Sequence, residues 1–189
     1  MAAGTTHLRS DALDNRERVL TAARALFAER GVDVGVREIA RAAGVGPATV
    51  YRRFPTKQAL VEAAFGREMA DCEAIVARGC AAGDPWEGLV SVVRELVVLN
   101  SRNLGFVVAL APDARTGEAI AAQRRELHRM LADLTRRAQA AGRVRADFGV
   151  ADLVLLLRAG RGLSASTPQA RDADARRFAD LALDAIRAR

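Results

Sequence analysis

Apolar side chains recur at three- and four-residue steps along most of this chain, which is the period of a helix and not the alternation of a strand. The first clear stretch starts at Asp14. Val19, Leu20, Ala23, Leu26 and Phe27 share one face of it, while Glu17, Arg18, Arg24, Glu29 and Arg30 occupy the other. Gly31 closes the stretch as a C-terminal glycine does. A shorter pattern at 36–43 places Ile39 and Ala40 inward and stops at Gly44. Pro47 suits the first turn of a third helix, where its missing N–H has no helical partner to lose. That helix runs through Thr49, Val50 and Tyr51 to about Phe54. Pro55 breaks it, and Thr56 is placed to cap a fourth helix that carries Leu60, Val61, Ala64, Phe65 and Met69 on one side.

A Gly- and Ala-rich stretch with an Asp-Pro pair, 79–85, reads as a linker. Helical patterns resume at 86–102, 104–110, 117–141, 149–163 and 169–188, and Leu127, Met130, Leu131 and Leu134 face inward on the longest. Residues 1–13, small, polar and mixed in charge, read as a loose arm. The whole predicts an all-α chain of about nine helices with neither strand nor internal repeat.

Composition agrees with the pattern. Hydrophobic residues make up 50% of the chain but aromatics only 4%, so the core must come from closely packed Ala, Val and Leu. No apolar run reaches the ~18 residues of a membrane span, and the first residues lack the apolar centre of a secretory signal. A cytoplasmic protein without membrane contact is expected. Cys72 and Cys80, if both lie on one helix, are roughly 12 Å apart along it, too distant for a disulfide within that helix, and read as small buried hydrophobes, with a redox sensor or an intermolecular bridge as the alternative. His7 and His128 are the only histidines. With no metal-spaced His pair, nucleophile elbow or close Cys pair, no catalytic residue, metal or cofactor is expected.

Charge points to a partner. The formal net charge is +6, which suits a polyanion. Between positions 37 and 57, five cations (Arg37, Arg41, Arg52, Arg53 and Lys57) face one acid, Glu38, a net +4 in 21 residues. The same segment has the layout of a helix-turn-helix. Gly44 and Gly46 permit a tight turn, Val45 packs with Ile39, Ala40 and Val50, and the outer face of the third helix is left for the major groove. A helical interaction module without specific DNA binding or effector is the alternative, and the basic segment argues against it.

Residue by residue, Ile39-Ala40, Ala43-Gly44-Val45, Thr49-Val50-Tyr51, Phe54, Lys57 and Leu60 resemble, in register, the DNA-binding signature of the TetR/AcrR family of transcriptional regulators. Ala22, Phe27 and Gly31 match that family's first helix, and the close resemblance covers about residues 14–62. It implies a DNA-binding domain at 12–60, with the motif at 35–54, and an effector-binding and dimerisation domain at 61–189. Thr49, Tyr51 and Lys57 should then touch phosphates, and Pro47, Ala48 and Arg52 base edges. Arg37 is placed for a base or a phosphate, and Arg53 for a phosphate. Two positions depart from the family: Gly35 and Gly46 stand where it usually caps with Ser or Thr. Glycine loses only a few tenths of a kcal/mol there, but two hydroxyls that would reach phosphate are absent.

The resemblance further implies a repressor that binds double-stranded, pseudo-palindromic operator DNA as a homodimer and is released by a small hydrophobic effector. Val150 to Leu157 is apolar on nearly every side, so burial on more than one face is expected. Val154 and Leu157 with Phe178, Leu181, Ala182, Ala185 and Ile186 would form a four-helix bundle across two subunits; a core within one chain is the alternative. Met69, Trp86, Val93 and Leu96 are candidates for the effector cavity's wall, as are Phe106, Leu127 and Met130. Asn100 and His128 are its candidate polar contacts. Close helix packing explains the glycine of the Arg158, Gly160, Arg161, Gly162 cluster.

Overall fold

The helical period becomes helix along nearly the whole chain. The computed structural model describes residues 4–103, 105–106, 116–163 and 167–188. Eight α-helices lie among them: α1 Gly4–Arg30, α2 Val36–Ala42, α3 Pro47–Arg53, α4 Lys57–Cys80, α5 Pro85–Arg102, α6 Glu118–Ala140, α7 Val150–Ala159 and α8 Pro168–Ile186. A short 3-10 turn, Gly160–Gly162, follows α7.

Two boundaries and one backbone pairing differ from the sequence reading. The expected arm at 1–13 is mostly helix, because α1 begins at Gly4. Residues 5–13 contain neither proline nor glycine, so a helix nucleated downstream propagates back through them. The linker begins later than 79, since α4 continues to Cys80. Also, Val144 and Arg187 form an isolated antiparallel bridge, closed by Arg145 N–H to Ile186 O at 3.0 Å and Ala188 N–H to Arg143 O at 3.1 Å. Of the helix expected at 104–110, Gly105 and Phe106 are helical, and the remaining positions lie outside the described residues.

The first three helices close on a small core. Leu20, Ala23 and Phe27 of α1 are buried with Ile39 and Ala40 of α2, Val50 of α3 and Leu60 at the start of α4. Between α2 and α3 the chain turns through Gly44 at φ 65, a left-handed conformation that glycine adopts without strain. Val45 N–H bonds Ala40 O at 3.0 Å. The turn is also clamped from outside: the Arg18 guanidinium donates to Ala43 O at 2.7 Å and to Gly44 O at 3.3 Å. A second tie runs from Arg30, near the end of α1, to the Glu38 carboxylate at 2.7 Å.

Behind this unit, α5 is the central helix and packs against α4, α6, α7 and α8. Its N-terminus is capped by Asp84, whose carboxylate accepts from Trp86 N–H at 2.8 Å. Trp86 is fully buried and covered by the Arg187 guanidinium, 4.8 Å from the ring centre. Small residues set the helix spacing. A Cβ on Gly88 of α5 would fall on the Gly79 carbonyl oxygen of α4. Gly160 lies under α5 and α8, where a Cβ would meet Val97 at 3.3 Å and the Phe178 ring at 3.7 Å. That is the close packing expected of the Gly/Arg cluster.

The α4–α5 crossing is directly testable. Gly88→Ala is expected to destabilise the protein by about 1–3 kcal/mol in urea unfolding, because the obstructing atom is backbone and cannot rotate away. Gly83→Ala, where a Cβ meets nothing within 4 Å, is the control and should leave the midpoint unchanged.

Candidate nucleic-acid interface and ligand cavity

Helix α3 spans seven residues, and Val50 is the only one of them that is buried. Everything else on it faces out or sideways: Pro47, Ala48, Tyr51, Arg52 and Arg53 are exposed, and Thr49 is half-buried. Tyr51 leaves 49% of its surface in water, which serves no packing purpose for so large a ring. Ala48 and Arg52, and likewise Pro47 and Tyr51, stand four residues apart and so share a helix face. Gly46 caps α3 with extended backbone and no side-chain hydrogen bond, and Gly35 does the same for α2.

The flanking helices add charge. Arg37, in the first turn of α2, is exposed. Arg41, in the last turn, lies 3.8 Å from Glu38, which also holds Arg30. Those guanidiniums, Arg30 first, keep the Glu38 carboxyl below its ordinary pKa. Lys57 is the first residue of α4, just past the cap that Thr56 makes with Ala59 N–H at 3.0 Å. An ammonium at the positive end of a helix dipole makes a favourable seat for a phosphate. Every residue expected to touch DNA is therefore at least partly exposed, on elements whose buried residues share one core. The pattern did not single out Arg18, whose role depends on two carbonyls 25 and 26 residues away.

Among the described residues, two cavities border both α4 and α6, the smaller of them walled also by α5 and α7. One, of about 60 Å³, is lined by Cys72, Leu96, Asn100, Arg124, Leu127, His128, Leu131, Val154 and Leu157. The other, of about 470 Å³, is nearer the first three helices and is lined by Glu62, Phe65, Gly66, Met69, Phe106, Ala119, Ile120 and Gln123. Of the expected wall residues, Leu96, Asn100, Leu127 and His128 line the first, and Met69 and Phe106 the second. Trp86, Val93 and Met130 border neither of these two. Trp86 and Val93 are core, and the half-buried Met130 presents its carbonyl to the Cys80 thiol at 3.7 Å. Arg124 lines the smaller cavity although its charge gave no cavity signal in the sequence.

Burial sets the chemistry of the smaller cavity. Desolvation, and secondarily the charge of Arg124, hold His128 below its ordinary pKa, so the ring is neutral at pH 7. Burial pushes the Cys72 thiol up to about 12, so it stays protonated and unreactive. Asn100 is buried and donates from Nδ2 to Leu157 O at 3.3 Å.

The stripe expected to meet a second subunit divides into two parts. Leu157, Ala182 and Ile186 are buried within the chain itself, because α8 lays Ala175, Ala179, Ala182, Leu183 and Ile186 inward and packs against α5. Val154 and Phe178 are half-buried, and Ala185 and Leu181 are exposed. Leu155 of α7, absent from the expected stripe, is 64% exposed, and Leu181 of α8 is 51% exposed. A nearly continuous apolar run shows that a helix is buried, but not which leucine lies outermost.

Comparison with known proteins agrees with the layout. Residues 19–64 match the family model of bacterial regulatory proteins of the tetR family, and residues 84–188 that of the C-terminal domain of SbtR-like transcriptional regulators. A TetR transcriptional regulator of Streptomyces coelicolor is 34% identical, with 92% of this chain and 98% of that one covered, at a TM-score of 0.54. The transcriptional regulator UidR of Escherichia coli is 27% identical over 77% of this chain and 76% of its own. The transcriptional repressor KstR of Mycolicibacterium smegmatis is 35% identical over 48% of this chain and 45% of its own. Among the described residues no helix is long and apolar enough to cross a membrane. With a helix-turn-helix that exposes a basic recognition face, and family matches over both its N-terminal and C-terminal parts, the chain belongs to the TetR family of bacterial regulatory proteins and is a DNA-binding transcriptional regulator.

Proposed function

We propose that this protein represses transcription by binding a pseudo-palindromic operator as a homodimer, and that a small, largely apolar effector releases it. The observation that carries the reading is the outer face of α3. Arg52, Tyr51, Ala48 and Pro47 are presented to solvent by a helix too short to stand alone and braced only on its Val50 side. Arg52 reads guanine in the major groove, Ala48 packs on a thymine methyl, and Pro47 meets a neighbouring base edge. Tyr51, Thr49, Arg53 and Lys57 grip phosphates, while Arg37 reaches a base or a phosphate. Residues 12–60 serve as the DNA-binding domain and 61–189 as the effector and dimerisation domain, with α4 common to both.

Dimerisation is supported by the two large leucines left in water on neighbouring parts of the chain, Leu155 and Leu181. A second copy covering α7 and α8 would bury them and place two recognition helices about one DNA turn, roughly 34 Å, apart. Release is supported by the packing at the base of α4. The Gln58 side chain presses on Gly117, where a Cβ would lie 2.9 Å from it. Phe65 touches Phe27 of α1 at 5.9 Å and Phe106 at 6.2 Å between ring centres. An effector wedged between α4 and α6 moves α4, and with it Lys57 and α3. AibR, 20% identical at a TM-score of 0.63, has been solved in complex with isovaleryl coenzyme A and operator DNA, which supports this kind of coupling.

Three substitutions test the interface in a mobility-shift assay on the DNA upstream of the protein's own gene. Arg52→Ala should cost about 1–3 kcal/mol and relax the preference at one base position; a uniform loss over all sequences would make it a phosphate contact. Tyr51→Phe should weaken binding with the sequence preference intact, and unchanged affinity would remove Tyr51 from the interface. Arg18→Met touches no DNA in this account, yet it should lower affinity for every sequence alike by loosening the turn before α3. For the dimer, Leu155→Glu combined with Leu181→Glu should give a monomer in sedimentation equilibrium that keeps its helix content. A double variant that still sediments as a dimer places the interface elsewhere.

A further inference from the structure

One glycine of α4 is explained by neither packing nor backbone conformation. Gly66 lies in the interior of that helix, where glycine is less stable than alanine. Gly79, the other glycine of α4, is required by the close approach of α5, since a Cβ there would fall on Val92. A Cβ built on Gly66 meets no atom of the described residues within 4 Å, and its φ is not positive. What Gly66 does is leave a gap. It is exposed and lines the 470 Å³ cavity, as does the exposed Ala119 of α6. Behind these two lies a floor of buried side chains, Phe65, Met69, Phe106 and Ile120. Phe65, Gly66 and Met69 follow at one- to four-residue steps on one face of α4, so mouth and floor are built by the same helix. A cavity of this size with an apolar floor is the usual form of a small-molecule site.

We propose that the effector is a flat, fused-ring aromatic molecule that enters this cavity past Gly66 and Ala119 and seats on Phe65, Phe106 and Met69. The floor selects rings. Phe65 and Phe106 stand 6.2 Å apart between ring centres and tilted by 49°, a geometry that one more ring can extend. The Met69 thioether adds a favourable contact to the edge of such a ring. The mouth selects a flat body, because one of its helices offers a hydrogen there and the other a single methyl group. Glu62 and Gln123 stand exposed at the same rim, so a polar substituent of the ligand stays in water beside them. The seat is also one ring away from α1. Phe65 touches Phe27 at 5.9 Å between ring centres, and a Cβ on Gly105 would lie 2.9 Å from Arg24 O. The Arg24 guanidinium in turn donates to Ala64 O at 2.7 Å. A ring wedged onto Phe65 and Phe106 therefore presses where α1 and α4 are tied together. This deepens the effector reading above and rests on it.

Isothermal titration of the full-length protein tests it, with 2-naphthol as the probe and decahydro-2-naphthol and 1-octanol as saturated mimics that carry the same hydroxyl. The aromatic probe should bind at least tenfold more tightly than either mimic. Gly66→Leu fills the mouth and should fold, because leucine favours a helix, which its melting temperature checks. It should weaken 2-naphthol at least tenfold, whereas Gly66→Ala, which adds only a methyl group, should weaken it less than threefold. Ala119→Leu closes the mouth from α6 and should act as Gly66→Leu does, so either variant serves if the other fails to fold. Equal binding of 2-naphthol and its saturated mimics overturns the ring assignment. Binding that is unchanged in both leucine variants overturns the site. Failure of phenol, 2-naphthol and 9-phenanthrol alike to bind overturns both. Mobility shifts on the upstream DNA separate this proposal from the effector reading. Saturated alcohols that release the DNA leave the effector reading standing without the ring assignment. If 2-naphthol binds at the mouth yet leaves the DNA bound, the site stands and the effector reading falls.

Discussion

The continuity of α4 is the constraint on which the rest of the structure depends. It is one unbroken helix from Lys57 to Cys80, 24 residues, so it extends roughly 36 Å. Its first turn carries Lys57, its second and third turns enter the core shared with α1, and the rest forms a wall of both cavities. At its far end the Gly79–Gly88 approach locks it to α5. With no proline inside it, the helix has no ready kink point, so a displacement at one end is carried along it rather than taken up at a hinge. Whatever shifts the cavity end therefore shifts the DNA end. This gives the proposed release from the operator a mechanical basis in one element.

The recognition helix is placed by the opposite logic. With seven residues, α3 is far below the ~12–15 residues at which an isolated helix becomes marginal in water. It holds its shape because Val50 and Phe54 are buried beneath it and because Arg18 fixes the preceding turn. Glycine caps on α2 and α3 are tolerable for that reason, since tertiary packing carries the helices that side-chain caps would otherwise support. The same economy leaves the outer face of α3 without structural duties, so its residues are free to be chosen by the DNA.

How much of this was legible in the sequence depended on how local the deciding interaction is. Helix periods, proline positions and turn glycines act within a few residues, and they placed α2, α3 and α4 nearly to the residue. The exposed, basic face of α3 followed from period and charge alone. Interactions between distant segments were not legible. Arg18 reads as one more surface cation until its partners at Ala43 and Gly44 are seen. Arg124 reads as part of a charged face, because Arg125 and Glu126 follow it directly, although its spacing from Ile120 and Leu127 puts it on the buried side of α6, where it lines the smaller cavity. Ala182 and Ile186 looked available to a partner subunit, but the small residues of α8 bring it close enough to α5 to bury them. The start of α1 was missed for a related reason: a polar stretch with no apolar face gives no periodic signal, yet nothing in it stops a helix.

In the proposed complex, two copies of this chain present their recognition helices to one face of operator DNA, spaced by a single turn. Hydroxyl-radical footprinting of the protein on its operator measures this directly. Two protected patches are expected on the same face of the duplex, centred about one turn of roughly 34 Å apart, and both should be lost when Leu155 and Leu181 are replaced by glutamate. One continuous patch on a single half-site, or two patches that persist in the monomeric variant, would contradict it.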